Sequence, residues 1–422
     1  MTGPITRRKT LAIAGTALAA MTFPAAAQSA KPLKIGFSMA LSGGLAGGGK
    51  AALLAYQIWA EDVNARGGLL GREVSLVCID DQSNAASVVG IYESLLSEHH
   101  VDLLIGGYGN NSISPAMPLV IKNEKFLVGL MGLGVNNELH YNRYFAMIPT
   151  GSDPNVALTE GFFYTAARQS PRPKTVAILA ADADFTKNPI AGARINSAQF
   201  GFEVVSETKY SLATTDFVPV LQSLEPRDPD VLFLCSYLND SVGLVRAIPE
   251  SGIAPKVIGG AMIGPQSTSV QKQLGPLLNG LVNYEYWLPT AKMAFPGVEK
   301  LISSYQKRAT GSTADELGYY VAPMAYAQLQ VVEQAVRETG GLSDADLAEY
   351  THAAKFRTVV GDVRFAESGE WAQPRVLTVQ FKNITSNDVS EFTNPDAQAV
   401  LYPAEYESGT MTYPYVARGG SS

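Results

Sequence analysis

A glycine-rich stretch near the amino terminus has the residue types and spacing of a phosphate-binding loop. Residues 44–50 (GLAGGGK) satisfy the pattern G-x-x-x-x-G-K. The next residue is Ala51, however, where a serine or threonine would be needed to hold magnesium. We therefore favour a loop whose bare backbone N–H groups approach a small neutral solute. On this interpretation residues 42–49 contact the ligand, with Ser42 and Ala46 as candidate binding residues.

Two acidic pairs could perform acid–base chemistry: Asp80 with Asp81, and Asp182 with Asp184. Ser38 is the candidate nucleophile of a secreted hydrolase. It lies within an apolar, strand-like run, whereas the nucleophile elbow G-x-S-x-G places its serine on a turn after a strand. We favour the acids as caps of loop ends, and we expect no enzymatic activity.

The remaining metal-binding residue types show no metal-ligand spacing, so the sequence predicts neither a metal nor a cofactor. The histidines are His99, His100, His140 and His352. Cys78 and Cys235 each lie in an apolar run. An oxidising compartment would permit a disulfide, but we predict two buried free thiols.

A set of aromatic and amide residues falls in predicted loops. Such residues suit a closing pocket for a small organic molecule, although each tyrosine could instead pack in a core. The set is Tyr108, Asn110, Asn111, Phe185, Tyr237, Tyr319 and Tyr320.

Alternating strands and helices position these loops. The pattern predicts a strand at 33–39, a helix at 51–64, strands at 73–80 and 101–106, and a helix at 85–97. A similar series restarts after residue 150, and a long helix is predicted at 320–339. This order indicates an α/β protein with parallel, doubly wound sheets in two similar lobes. Ligands of such sheets bind beyond the carboxyl ends of the strands, where the loops 42–49, 108–112 and 132–136 lie.

The amino terminus is typical of an export signal. Arg7 and Arg8 precede a short apolar run and a small-residue site ending at Ala27, which suggests the twin-arginine route to the periplasm. The alternative, a membrane anchor, needs a longer apolar run. The whole chain has a net charge of −7, and losing the leader would make it more negative. Nucleic acid and anionic membranes are therefore not expected partners.

The chain resembles the type I periplasmic solute-binding proteins, and most of all the leucine/isoleucine/valine-binding branch. The segments that carry this resemblance are KIGFSMALSGG, AEDVNARGGLLGREVSLVCIDDQSN, IGGYGNNSISPAMP, ATTDFVPVLQSL and VVGDVRFAESGEW. It implies two Rossmann-like lobes joined by three crossovers. The expected division is a leader at 1–27, lobe 1 at 31–149 and 289–356, lobe 2 at 150–288 and 357–385, and an extension at 386–422. The crossovers are expected near 149–153, 288–291 and 357–361.

The resemblance also implies roles for individual positions. Asn110 and Asn111 stand where the family holds the solute carboxylate, and Leu133 and Val135 stand in the next loop, where a threonine usually assists. Phe185 stands where the family has an aromatic wall, and Tyr237 stands where a tyrosine contacts the solute amine. Ala261 stands where the family has the acid that pairs with this amine. Tyr320 is a further candidate binding residue. Because Ala261 carries no charge, we expect the solute not to be an ordinary α-amino acid.

The predicted function is an exported, monomeric receptor that captures a small solute and delivers it to the membrane permease of an ABC importer. An amide, a urea-like compound, or an aromatic or aliphatic acid would suit the expected pocket. Two alternatives stay open at this point: a solute sensor of a signalling system, and a secreted hydrolase.

Overall fold

A computed structural model describes residues 1–3, 31–183 and 185–417. Most of the predicted leader and Asp184 lie outside these residues. Within the described ranges, no helix combines the length and the apolar character that a membrane crossing would need.

The sheets of the first lobe are built from five strands, β1 to β5, with helices packed on them. Its first section contains β1 (Leu33–Met39), α1 (Ala46–Ala65), β2 (Val74–Asp80), α2 (Ala85–Ser97), β3 (Leu103–Leu104), α3 (Asn110–Ile113), α4 (Met117–Lys122), β4 (Leu127–Leu130) and β5 (Tyr144–Met147). Strand β1 lies between β2 and β3, and β4 pairs with β5, in parallel throughout. A bridge between Tyr108 and Leu130 connects the end of the first sheet to β4.

The second lobe is built on a seven-stranded sheet of order β14-β13-β10-β9-β8-β6-β7. Its main section contains α5 (Pro154–Ala167), β6 (Thr175–Ala181), α6 (Lys187–Gln199), β7 (Glu203–Tyr210), α7 (Val218–Gln222), β8 (Val231–Ser236), α8 (Leu238–Ser251), β9 (Val257–Met262), α9 (Thr268–Leu274) and β10 (Val282–Glu285). Strands β6 to β10 pair in parallel, whereas the later strands β13 (Leu377–Phe381) and β14 (Gln398–Tyr402) add antiparallel pairs at one edge.

After β10 and before β13, the chain returns to the first lobe. It forms α10 (Val298–Ala309), α11 (Ala322–Thr339), α12 (Asp344–Ala353), and a hairpin of β11 (Phe356–Thr358) and β12 (Gly361–Val363). Helix α11 packs along α1. The indole N–H of Trp59 donates to Glu333 at 3.1 Å, and Tyr56 donates to Gln328. The mixed α/β fold with parallel sheets confirms the predicted fold class.

Three segments, 148–153, 287–297 and 364–376, carry the chain between the lobes. Arg375 joins all three. Its backbone N–H donates to the carbonyl of Pro149 at 2.7 Å, and its guanidinium lies 5.1 Å from the ring centroids of both Phe295 and Trp371. The predicted lobe boundaries stay a prediction. Residues 357–361, where the third crossover is expected, lie in the β11–β12 hairpin.

Several predicted elements differ from the structure. Helix α1 begins at Ala46, five residues before the predicted start, because its glycines pack closely instead of forming a loop. A Cβ at Gly49 would lie 1.9 Å from the carbonyl oxygen of Ala40. Helix α10 is not among the predicted elements, although Val298, Leu301, Ile302 and Tyr305 form a buried stripe at helical spacing.

Both cysteines are free thiols, as predicted, with Cys235 buried and Cys78 partly buried. Burial raises the pKa of Cys78 to about 12. No group of three or more histidine, cysteine or acidic residues with the geometry of a metal site occurs in the part of the chain that the structure describes.

Candidate functional site

An aromatic cavity lies between the two lobes, beyond the carboxyl ends of their parallel strands. Its free volume is about 50 Å³. The first lobe and the segment after β5 contribute Leu45, Tyr108, Gly109, Asn110, Asn111, Met131, Leu133, Ile148 and Tyr320. The second lobe contributes Phe185, Tyr237, Ile263, Tyr284 and Tyr286. The structure therefore places seven of the predicted site residues around one cavity: Tyr108, Asn110, Asn111, Leu133, Phe185, Tyr237 and Tyr320.

Four tyrosines form the centre of the cavity wall and join the lobes. The rings of Tyr108 and Tyr320 meet edge to face with centroids 6.4 Å apart. Tyr286, from the second lobe, stacks on Tyr320 at 5.9 Å, and Tyr284 contacts Tyr286 at 5.4 Å. Burial raises the pKa of Tyr108 to about 12, and it raises the pKa of each of the other three well above the ordinary tyrosine value. All four hydroxyls therefore remain protonated at neutral pH and can donate hydrogen bonds.

Among the residues that the structure describes, none that lines the cavity carries a charge. Glu285 lies between Tyr284 and Tyr286 in the chain, so its side chain projects from the opposite face of β10. Burial raises the pKa of Glu285 to about 8, which favours its neutral form at pH 7. A solute in this cavity would thus meet hydroxyls, amides and aromatic rings.

The two adjacent asparagines have different surroundings. The side chain of Asn110 donates to the carbonyl of Leu133 and accepts from its N–H, both at 2.9 Å. It therefore holds the 132–136 loop in place. Asn111 faces the same cavity, and its amide makes no hydrogen bond within the described ranges. Of the two, Asn111 is the one whose polar atoms are available to a solute.

The glycine-rich stretch shapes the cavity mainly by allowing close packing. A Cβ at Gly48 would lie 2.4 Å from Cε1 of Tyr108, so only glycine lets this ring lie against α1. Gly47 lies next to Leu238 of the second lobe, and a Cβ at Gly47 would lie 3.7 Å from Cδ2 of Leu238. Leu45, the residue before α1, lines the cavity, whereas Ala46 does not.

Ser42, Val135 and Ala261 are also absent from this cavity wall. The hydroxyl of Ser42 donates to Asp80 at 2.7 Å, so it closes a turn outside the cavity. Val135 is 8% exposed and packs in the core of the first lobe. Ala261 lies within β9, opposite Cys235 of β8, and is buried in the sheet. Ile263, two residues later, lines the cavity instead. Tyr319 turns away and packs against Trp287.

Tyr284 and Tyr286 are not among the predicted site residues, yet they belong to the tyrosine cluster at the centre of the cavity wall. A signal was available, because two tyrosines two residues apart in a strand must share one face. It was not decisive, since a buried strand has side chains on both faces and either face could meet the core.

The acids proposed for hydrolytic chemistry are instead held in hydrogen bonds. Asp81 is 1% exposed and accepts from the hydroxyls of Ser38 and Ser112 at 2.7 and 2.6 Å, and from the N–H of Ser83 at 2.9 Å. Asp80 caps the turn after β1, accepting from the N–H of Leu41 at 2.9 Å. Both acids tie β1 and β2 to neighbouring loops, which agrees with the interpretation as caps.

A wider cleft of about 650 Å³ adjoins the cavity and opens outward between the lobes. It shares Leu45, Asn111 and Tyr237 with the cavity wall. Thr214, Thr215 and Asn239 add polar groups to its sides. The cleft thus adjoins the aromatic cavity and shares part of its wall.

Known proteins show the same fold and family. A sequence model of the periplasmic binding protein family matches residues 32–416. The leucine-, isoleucine-, valine-, threonine- and alanine-binding protein of Pseudomonas aeruginosa is 20% identical over 354 residues, which is 84% of this chain and 91% of that protein. The Leu/Ile/Val-binding protein homolog 8 of Brucella abortus is 24% identical over 305 residues, covering 70% and 73%.

Solved structures agree in fold at low sequence identity. An amino acid ABC transporter substrate-binding protein from Pseudomonas fluorescens superposes with a TM-score of 0.74 at 17% identity, covering 89% of this chain and 98% of that one. A solute-binding protein from R. palustris in complex with benzoate gives 0.71 at 14% identity, covering 92% and 98%. The family resemblance predicted from the sequence is confirmed. This chain belongs to the periplasmic binding protein family, with relatives among the Leu/Ile/Val-binding proteins.

Proposed function

We propose that this protein is the substrate-binding protein of an ABC importer, and that it captures a small organic solute by closure of its two lobes. The observation that carries the proposal is the aromatic cavity, whose wall is contributed by both lobes. Its free volume of about 50 Å³ is far below the roughly 300–1,000 Å³ of a typical pocket for a small organic ligand. A solute can therefore enter only when the lobes separate or the wall moves, which is the hinge mechanism of capture.

The solute is expected to lack an α-ammonium group. A buried ammonium needs a carboxylate partner, and the described cavity wall supplies none. Protonated tyrosine hydroxyls and the amide of Asn111 can instead donate to a carbonyl or a carboxylate. An amide, a urea-like compound, or an aromatic or aliphatic acid fits these groups. The benzoate complex of the R. palustris neighbour is compatible with this class.

Delivery follows from the proposed function. The partner is the membrane permease of the importer, the protein acts as a monomer in the periplasm, and the solute is released without chemical change. Export by the twin-arginine route, suggested by Arg7 and Arg8, is part of the same proposal.

The test is a thermal-unfolding screen of the mature protein with amides, ureas, aromatic acids and the branched-chain amino acids. At least one of the first three classes should raise Tm, and by more than isoleucine does, because a ligand stabilises the state that binds it. Mass spectrometry of material that co-purifies with the protein would identify the natural solute independently. A flat response to every class, with nothing co-purifying, would contradict the proposal.

A further inference from the structure

We infer that Asp315 is a positioning residue that couples closure of the lobes to the placement of Tyr320 in the cavity. The inference rests on the proposed capture of a solute by closure. Asp315 lies in the connection between α10 and α11, which both pack in the first lobe.

The carboxylate of Asp315 reaches across to the second lobe. Its Oδ2 accepts from the backbone N–H of Thr268 at 2.7 Å, and its Oδ1 accepts from the hydroxyl of Thr268 at 2.8 Å. The hydroxyl of Ser267 adds a longer contact of 3.3 Å. These residues begin α9, so a side chain of one lobe caps a helix of the other. Hydrogen bonds to an ionised acceptor are stronger than those between neutral groups.

The same residue is held firmly in its own lobe. The hydroxyl of Tyr305 donates to the carbonyl of Asp315, and the N–H of Gly318 donates to its Oδ1, both at 2.8 Å. Gly318 has a φ of +70°, and a Cβ there would lie 2.3 Å from Cε1 of Tyr305. The turn from Asp315 to Gly318 is therefore tightly packed against α10.

This turn leads directly to the cavity. Tyr320 follows Gly318 by two residues, and its ring lies between Tyr108 of the first lobe and Tyr286 of the second. The N–H of Leu317 also donates to the hydroxyl of Thr268, at 3.2 Å. When the lobes separate, the contacts of Asp315 with α9 must break, and the turn that leads to Tyr320 loses its hydrogen bonds to the second lobe.

The neighbouring residue provides a matched control. Glu316 also crosses between the lobes and pairs with Lys272 at 3.1 Å, but the two side chains are 41% and 45% exposed. An exposed ion pair of this kind contributes little, because water and salt screen it and both side chains must be ordered. Asp315 and Glu316 thus reach across the same gap, but Asp315 accepts several hydrogen bonds from the start of α9 whereas Glu316 forms one exposed ion pair.

The experiment compares Asp315→Ala, Asp315→Asn and Glu316→Ala in the mature chain without added solute. Small-angle X-ray scattering reports closure through the radius of gyration, and near-ultraviolet circular dichroism reports the surroundings of the tyrosines. Amide hydrogen exchange is followed at Thr268 and Gly318.

We expect Asp315→Ala to enlarge the radius of gyration, to change the tyrosine signal, and to lower protection of these two amides about tenfold or more. Asp315→Asn, which keeps one acceptor oxygen, should be intermediate, and Glu316→Ala should match the wild type. An unchanged radius and tyrosine signal in Asp315→Ala would overturn the inference, even if the amides exchange faster. So would equal effects of Asp315→Ala and Glu316→Ala. If Asp315→Ala unfolds, the intermediate variant decides. Because no solute is used, a failed solute screen would contradict the proposed function without affecting this result.

Discussion

Asn188 and Leu133 belong to opposite lobes and are joined by a hydrogen bond of 2.9 Å from the side-chain amide of Asn188 to the carbonyl of Leu133. The same carbonyl accepts from Asn110 at the same distance. One backbone oxygen at the cavity wall therefore links the loop 132–136 both to its own lobe and to α6 of the other lobe.

Replacing Asn188 should favour the open arrangement of the lobes. Asn188→Ala removes the bond across the cleft and is expected to destabilise the closed arrangement by roughly 0.5–1.5 kcal/mol, the usual net contribution of one hydrogen bond. The radius of gyration should increase while the unfolding temperature changes little. Gln199→Ala, on an exposed position of the same helix, is the control, and a similar increase there would argue against the assignment.

The two adjacent asparagines should separate stability from binding. Asn110→Ala leaves the N–H of Leu133 without its partner and is expected to lower the free energy of unfolding by about 1–3 kcal/mol. Asn111→Ala should leave unfolding within about 0.5 kcal/mol of the wild type, because its amide makes no bond that would be lost. The same variant should reduce the shift in Tm caused by the solute found in the screen. Chemical denaturation measures the loss of stability, and thermal unfolding measures the shift in Tm. Equal losses of stability in the two variants would contradict the assignment.

Two glycines of the 44–50 stretch, one before α1 and one in its first turn, should respond differently to the same substitution. Gly48→Ala places a methyl group against Tyr108 and is expected to cost roughly 1–3 kcal/mol of stability through overpacking. It should also alter the near-ultraviolet tyrosine signal. At Gly44 no atom of the described residues lies within 4 Å of the added carbon, so Gly44→Ala should be nearly neutral. If denaturation gave similar values for both variants, the packing role of Gly48 would be wrong.

Stability should depend on pH through Glu370, in the third segment between the lobes. Glu370 is 1% exposed, its two carboxylate oxygens have no hydrogen-bond partner among the described residues, and burial raises its pKa from 4.5 to about 8. Between these pH values the unfolded chain releases this proton while the folded chain keeps it, so stability falls as pH rises.

Glu370→Gln cannot ionise and removes this contribution. Its stability relative to the wild type should therefore increase from pH 5 to pH 8, by roughly 3 kcal/mol. Urea unfolding at the two pH values measures the difference. Glu367→Gln, at an exposed position nearby, should show a far smaller change, and a constant difference between Glu370→Gln and the wild type would contradict the assignment.

Local pattern was sufficient for much of the fold. Strand β1 and helix α2 have the predicted bounds, because apolar alternation and the capping residue Asn84 lie within the segments themselves. The repeated order of strand and helix indicated two α/β lobes, and loop position indicated that Tyr108, Phe185 and Tyr237 would meet.

Side-chain direction and partner choice depended on residues far away in the chain. Nothing in the local sequence distinguishes Asn110 from Asn111, yet Leu133 engages only the first. Ala261 is buried in the sheet while Tyr284 and Tyr286 face the cavity, because the pairing of strands decides which face of each one is covered. Val135, in the loop 132–136, packs in the core of the first lobe. The sequence by itself determined the elements and the loops at their ends, since these depend on neighbours along the chain. Only the tertiary structure decided which polar groups are occupied and which remain available, since hydrogen-bond partners come from distant segments and from the opposite lobe.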